Sequence, residues 1–189
     1  MTDIKERPIL FSAPMVRAIL EGRKTVTRRE VKKPAALDCL AAGFEPSFLA
    51  LPGNADLCPY GKPGDRLWVR ETTGEDCRGS ISTTTYSADG APSDLEWWYS
   101  RRSCPSIHMP RKACRILLEI TAIRVERLQD ITDEQAEAEG VDFLRAAPDL
   151  DETLTAAHLF DCLWSSINGA ESWNADPWVW VVEFKQVTP

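Results

Sequence analysis

The sequence predicts a mixed α+β protein built around a small β-barrel flanked by helices. Strand-like stretches outnumber helical ones, and they do not follow the β-α-β alternation that is typical of a parallel sheet. Of the 189 residues, 43% are hydrophobic and 27% are charged, as expected for a globular protein with a sizeable core. We therefore expect a single domain over residues 1–189, with insertions at about 31–62 and 72–110.

The first sixty residues predict a strand, a helix and the beginning of a second strand. Residues 8–11 are typical of a short strand, and residues 12–14 combine a serine with a proline, a pattern that favours a helix start. Gly22 follows where such a helix would end. Residues 24–27 are β-prone and predict the next strand, whereas frequent prolines predict an irregular segment over residues 31–62.

The middle of the chain predicts one strand and a long insertion. A turn at residues 62–65 precedes a predicted strand at residues 66–71. Residues 72–110 are rich in Ser, Thr, Gly and Pro and show no sustained period. We interpret them as an insertion that is either loosely structured or a lid.

The last third predicts two strands and two helices. Residues 115–125 alternate, which places Ile116, Leu118, Ile120 and Ala122 on one face of a strand. Residues 132–135 match a capping box that starts a short helix, and Gly140 is its expected stop. A second helix is predicted from about 151 to 167, with an apolar face formed by Phe160, Leu163, Trp164 and Ile167. A closing strand is predicted at residues 177–184, with one face formed by Trp178, Trp180, Val182 and Phe184.

Charge is unevenly distributed along the chain. The net charge of −7 argues against a protein that coats nucleic acid indiscriminately. A basic cluster near the start nevertheless fits a site for a nucleotide or a short RNA, although most such runs are solvated faces. Its members are Arg23, Lys24, Arg28, Arg29, Lys32 and Lys33.

Nothing in the sequence predicts export, a membrane or a cofactor. The N-terminus lacks a signal-peptide pattern, and no apolar run is long enough to span a membrane, so we expect a cytoplasmic protein without a membrane partner. The six cysteines form no C-x-x-C pair and are expected to be reduced thiols. Cys104 and His108 are a weak zinc pattern, so we expect no metal site.

Four segments in order carry a family resemblance. The stretch Gly22-Arg23-Lys24-Thr25-Val26-Thr27-Arg28-Arg29 resembles the G-x-K-x-x-x-x-R signature of the ASCH superfamily. Residues 64–69, Gly-Asp-Arg-Leu-Trp-Val, are similar to the G-D-x-L-x-V strand of that family, and residues 128–141 to its late capped helix. The closing strand falls where the family has one, and residues 106–111 look like its longer, phage-associated branch.

The resemblance implies a PUA-like barrel whose cleft holds a nucleobase or RNA. Some short members hydrolyse N4-acetylcytidine and related N-acyl cytosines with a lysine, a threonine and a glutamate. By position these are Lys24, Thr27 and Glu139, and all three residue types are present. We therefore predict an amidohydrolase of N4-acylated cytosine nucleosides or nucleobases. The alternative is an RNA-binding or RNA-processing module, with single-stranded RNA as its partner.

The predicted trio has a consistent chemistry. Attack on an acyl carbon needs a nucleophile, a base and a group that stabilises the oxyanion. Thr27 can attack or position a water, Lys24 can act as the base if its pKa is lowered, and Glu139 can orient Lys24 or move a proton. Residues three apart on a strand point to opposite faces, so Lys24 must lie in the turn after Gly22 or beside a bulge.

Further polar and aromatic residues extend the predicted site. Arg29, Arg28, Arg70 and Glu71 are candidate substrate-binding residues. The run of residues 97–99, Trp-Trp-Tyr, beside Arg101 and Arg102 either stacks bases or anchors the insertion. His108 is more readily interpreted as a packed or turn histidine than as an acid or base.

Overall fold

The structure is a computed structural model that describes residues 4–147, 151 and 153–188. Its strands are β1 (Glu6–Leu10), β2 (Val26–Glu30), β3 (Arg66–Arg70), β4 (Thr73–Arg78), β5 (Ile81–Tyr86), β6 (Pro92–Glu96), β7 (Ser103–Cys104), β8 (Leu117–Arg127) and β9 (Trp178–Val187). Its helices are α1 (Ala13–Leu20), α2 (Pro34–Ala41), α3 (Pro46–Leu49), α4 (Asp133–Ala138) and α5 (Ala156–Asn168). The predicted α+β class is confirmed. Within the described ranges, no helix is long and apolar enough to cross a membrane.

Five strands form the main sheet in the order β1-β3-β8-β9-β2. The β1–β3 pair is parallel and the other pairs are antiparallel. Strands β1 and β2 are the two edges of this sheet and do not pair with each other, so the predicted barrel is not closed. The opening between these two edges is where the candidate site lies.

Strand β9 lies between the two largest hydrophobic clusters. Trp180, Val182 and Phe184 pack into one cluster, with Trp178 partly buried against it, which confirms the predicted face. Val179 and Val181 point the other way, into a cluster with Phe160 and Trp164 of α5. Burial on both sides explains why this segment of the sequence is a nearly continuous apolar run.

Strand β8 contains a bulge that the alternation of its sequence did not indicate. The pairing of β8 with β9 shifts between Ile120 and Ala122. Ile116, Leu118 and Ile120 face the first cluster as predicted, but beyond the bulge Ile123 and Val125 take over that face. The expectation for Ala122 was therefore wrong, because one extra residue reverses the alternation.

Residues 31–62 are more regular than predicted. Pro34, Pro46 and Pro52 each begin a helix or a 3-10 turn, at the first-turn position that proline tolerates. Interpreting these prolines only as loop signals hid the helices α2 and α3. Residues 72–110 likewise contain a second, four-stranded antiparallel sheet with the order β6-β5-β4-β7, so the expectation of loose structure there was wrong.

The two late helices follow their capping signals. Thr132 and Gln135 form the predicted capping box at the start of α4, and Gly140 follows the helix in the left-handed region with φ +78°. Helix α5 begins after Thr155, whose side chain accepts a hydrogen bond from the His158 amide. The helix was predicted to start at about 151, beside residues 148–150 and 152, which lie outside the described part of the chain.

Candidate active site

A cavity of about 910 Å³ lies in the opening between the edge strands β1 and β2. Its walls come from the chain after β1, from β2, from the end of α4 and from one side of α5. Lys24, Thr27 and Glu139 all line it, although Lys24 and Glu139 are 115 residues apart in the sequence. Its volume is within the range of about 300–1,000 Å³ that small-molecule sites occupy.

The backbone around Lys24 satisfies the geometric requirement of the predicted trio. Gly22 ends the turn after α1 with φ +72°, and β2 begins only at Val26, so Lys24 precedes the regular strand. The amide nitrogens of Arg23 and Lys24 donate to the Ala18 carbonyl at 2.8 and 3.0 Å. The Thr25 amide donates to the Ala138 carbonyl at 2.9 Å, which joins this segment to the end of α4.

The Lys24 ammonium is buried and its three protons have three acceptors. Nζ lies 2.7 Å from Glu139 Oε2, 2.8 Å from the Glu139 carbonyl oxygen and 2.8 Å from the Val26 carbonyl oxygen. The side chains of Lys24 and Glu139 are only 2% and 4% exposed. Burial removes the hydration of both charges, which costs free energy, and close contacts with further hydrogen bonds compensate for that cost.

Burial lowers the pKa of Lys24 below its ordinary value of 10.5. The charge and hydrogen bond of Glu139 act against this effect, whereas the positive charges of Arg29 and Arg28 add to it. A lowered lysine pKa favours the neutral amine, which is the form that a general base requires.

Thr27 and Arg29 lie on the side of β2 that faces Phe11. Thr27 is buried, at 3% exposure, and lines the cavity. The Arg29 guanidinium lies 5.3 Å from the centroid of the Phe11 ring, and its Nη2 donates to the Leu10 carbonyl at 2.7 Å. Arg29 therefore connects β2 to the end of β1 across the opening. Lys24 Nζ lies 5.5 Å from the same ring.

Two predicted substrate-binding residues lie elsewhere. Glu71 is buried and binds the Arg115 guanidinium through two 2.8 Å hydrogen bonds, and Arg115 also binds Asp89. Arg70 donates to the Ile107 carbonyl and stacks on Trp68. Neither Arg70, the last residue of β3, nor Glu71, the residue after it, lines the cavity.

The segment 72–110 contributes to the cavity wall mainly through its ends. Thr72 and Ser106 line the cavity, whereas residues 73–105 do not. Trp98 packs against the small cluster of Tyr86, Met109 and Ala113, which supports the interpretation of the aromatic run as an anchor. His108 stacks on Tyr99 at 5.8 Å. No group of three or more potential metal ligands occurs in the described residues.

The structure adds cavity residues that the sequence did not single out for the site. Phe160, Leu163, Trp164 and Ile167 form the α5 wall, and their helical spacing had predicted only a core face. Tyr60 also lines the cavity, and burial raises its pKa, so its phenol is neutral at physiological pH. No sequence pattern distinguished Tyr60, because it lies in a loop.

No family model and no curated protein matches the chain. Solved structures that resemble it include an ASCH domain from Lactobacillus crispatus JV V101, with 13% identity and a TM-score of 0.46 over 98% of this chain and 81% of that one. They also include protein EF3133 from Enterococcus faecalis V583, family-model DUF984, with 11% identity and a TM-score of 0.41 over 91% of this chain. This chain spans 66% of the Enterococcus protein. At these scores neither neighbour carries information on ligand or activity, so the site is interpreted from its own geometry.

Proposed function

We propose that the protein is a metal-independent amidohydrolase that cleaves N4-acylated cytosine nucleosides or nucleobases. The observation that carries the proposal is the meeting of an amine, a hydroxyl and a carboxylate at one cavity, with Lys24 Nζ 2.7 Å from Glu139 Oε2. The cavity combines aromatic side chains that suit a flat base with cations at its rim.

The proposed reaction uses the buried lysine–glutamate pair to move protons. Transfer of one proton from Lys24 to Glu139 leaves a neutral amine and a neutral acid, the forms needed in a base and a proton donor. Lys24 then accepts the proton of the Thr27 hydroxyl, or of a water that Thr27 positions, as the oxygen attacks the acyl carbon. Glu139 protonates the departing N4 amine as the carbon–nitrogen bond breaks. When a water attacks, this step releases the carboxylic acid directly. When Thr27 attacks, it leaves an acyl–Thr27 ester; Lys24 again transfers a proton to Glu139 and accepts the proton of an attacking water, and Glu139 returns a proton to the Thr27 oxygen as the carbon–oxygen bond breaks. Both routes consume one water and give the free cytosine amine and the carboxylic acid.

Purified protein is expected to release cytidine and acetate from N4-acetylcytidine without added metal. Lys24→Met and Glu139→Gln are each expected to lower kcat by at least about 100-fold, the usual scale for a lost acid or base. Lys185→Met is the matched control, because Lys185 makes a 2.9 Å pair with Glu119 on the surface. Circular dichroism verifies that the variants fold. Full turnover in folded Lys24→Met refutes the assignment.

Thr27 distinguishes direct attack from a positioned water. Direct attack predicts an acyl–Thr27 adduct that rapid quenching and mass spectrometry detect, and it predicts partial activity in Thr27→Ser but none in Thr27→Val. A positioned water predicts no adduct in any variant.

A second candidate function is binding of single-stranded RNA. The observation in its favour is the cationic rim, where Lys32 and Lys33 are exposed beside Arg29. Lys32→Glu with Lys33→Glu is expected to weaken RNA binding and to reduce its salt dependence. Absence of a mobility shift with RNA at low salt rejects this alternative.

A further inference from the structure

Arg28 is a buried cation of the cavity, like Lys24 and unlike the partly exposed Arg29. Its exposure is 0%, and its guanidinium lies 5.9 Å from the centroid of the Phe160 ring. It lies on the face of β2 opposite to Thr27 and Arg29. Arg28 lines the cavity, but the hydrogen bonds of its guanidinium go to groups of the protein on β8 and at the two ends of α4.

The contacts of Arg28 reach both ends of α4. Its Nη2 donates to Gln135 Oε1 at 2.7 Å, and Nη1 lies 3.4 Å from Glu139 Oε1. Nη2 also lies 3.4 Å from Glu126 Oε2 on β8. Gln135 is the capping-box residue of α4, and its same oxygen accepts from the Thr132 amide at 3.2 Å. Arg28 therefore fixes the helix that carries the catalytic carboxylate.

The two oxygens of Glu139 have different cationic partners. Oε2 binds Lys24 and Oε1 faces Arg28. In the proposed reaction Glu139 becomes a buried carboxylate when it protonates the departing amine, and a buried carboxylate has a high free energy unless nearby cations balance its charge. The Arg28 guanidinium places a second cationic group beside this carboxylate, 3.4 Å from Oε1.

We infer that Arg28 is a positioning residue of the proposed reaction, which orients Glu139 and stabilises its carboxylate once Glu139 has given its proton to the departing amine. This inference rests on the proposed function for its kinetic consequence, but its electrostatic consequence does not depend on turnover. The charged groups that face Lys24 are Glu139, Arg28 and Arg29, and of these only Arg28 contacts both the carboxylate and the cap of α4.

The electrostatic consequence is tested by NMR titration of the Lys24 side chain in full-length protein labelled with ¹³C,¹⁵N-lysine. Arg28→Gln and the bulkier apolar Arg28→Met both remove a positive charge, so each is expected to raise the pKa of Lys24. Testing both keeps the experiment informative where one variant does not fold. Arg28→Lys retains the charge and is expected to leave the Lys24 titration close to that of the wild type.

Arg127→Gln is the matched control for the loss of a stacked arginine. Arg127 lies 4.2 Å from the centroid of the Trp178 ring and does not line the cavity. Its removal is expected to leave the Lys24 titration unchanged. The inference is overturned if Lys24 titrates identically in the wild type and in a folded variant that lacks the Arg28 charge.

The kinetic consequence is measured on N4-acetylcytidine. In Arg28→Gln or Arg28→Met, the rising limb of the kcat/KM profile is expected to move to higher pH, and kcat at pH 7 is expected to fall about tenfold with little change in KM. Arg28→Lys is expected to restore the wild-type profile. A wild type without turnover refutes the proposed function alone, because the NMR titration still reports the coupling of Arg28 to Lys24.

Discussion

Gly140 brings the end of α4 against the candidate catalytic lysine at a contact that has no room for a side chain. Its φ is +78°, and a Cβ built there would lie 2.9 Å from Ala18 Cβ and 3.0 Å from Lys24 Cβ. We expect Gly140→Ala to destabilise the protein and to move Lys24 away from Glu139.

The expected magnitude has two parts. The left-handed conformation destabilises an alanine by about 1–2 kcal/mol relative to glycine. Forcing a methyl group into the contact with Ala18 and Lys24 adds about 1–3 kcal/mol, the usual range for an overpacked interior. The free energy of unfolding should therefore fall by about 2–5 kcal/mol, a large part of the stability of a typical domain.

Urea denaturation measures this loss, and Gly90→Ala is its matched control. Gly90 has φ +73° and nothing within 4 Å of a built Cβ, so an alanine there is destabilised only by its left-handed backbone conformation. The difference between the two variants isolates the contact with Lys24. Equal losses in both variants, or full hydrolytic activity in Gly140→Ala, would refute the reasoning.

Three further predictions concern α4 and the Glu71–Arg115–Asp89 cluster. Thr132→Ala is expected to lower the free energy of unfolding by about 1 kcal/mol through loss of the cap. Gln135→Ala is expected to lower it further and to reduce kcat, since Gln135 also binds Arg28. Urea titration and steady-state kinetics compare the two variants. Glu71→Gln is expected to lower stability by about 1–3 kcal/mol with an unchanged KM; a raised KM would return Glu71 to the substrate site. The hydrogen bond from Arg115 lowers the pKa of Asp89 below its ordinary 3.8. The stability advantage of the wild type over Asp89→Asn should therefore be complete above about pH 4 and disappear as the pH falls further. Urea midpoints across the acid range measure this advantage, and a difference that stays constant with pH contradicts the prediction.

The parts of the fold that followed from the sequence are those set by local signals. The capping box of Thr132 and Gln135 defines the start of α4, and the alternating apolar residues of β9 define its two faces. Pro34 and Pro46 led to a prediction of irregular structure, but each begins a helix. Proline occurs both in loops and in first helical turns, and only the contacts of the following residues distinguish the two. The bulge after Ile120 depends on pairing with β9, which β8 does not encode alone.

The candidate site followed from the sequence less completely. The positions of Lys24, Thr27 and Glu139 came from the family resemblance, and Lys24 lies between Gly22 and the start of β2 at Val26, outside the regular strand. The network of Arg28 was not foreseen, because adjacent arginines on a strand look alike in sequence although they face opposite sides. Arg70 and Glu71 were misplaced for a related reason: nearness to a motif strand does not determine which edge of the sheet a side chain reaches.

The unpaired edges of the main sheet have a consequence for how a ligand enters. Since β1 and β2 share no backbone ladder, the passage between them can widen by rotation of the Arg29 side chain away from the Leu10 carbonyl. Ligands of different width can then enter without the loss of backbone hydrogen bonds between strands. The hydrogen bond from Arg29 to the Leu10 carbonyl is thus a side-chain contact that spans the gap between the two edge strands.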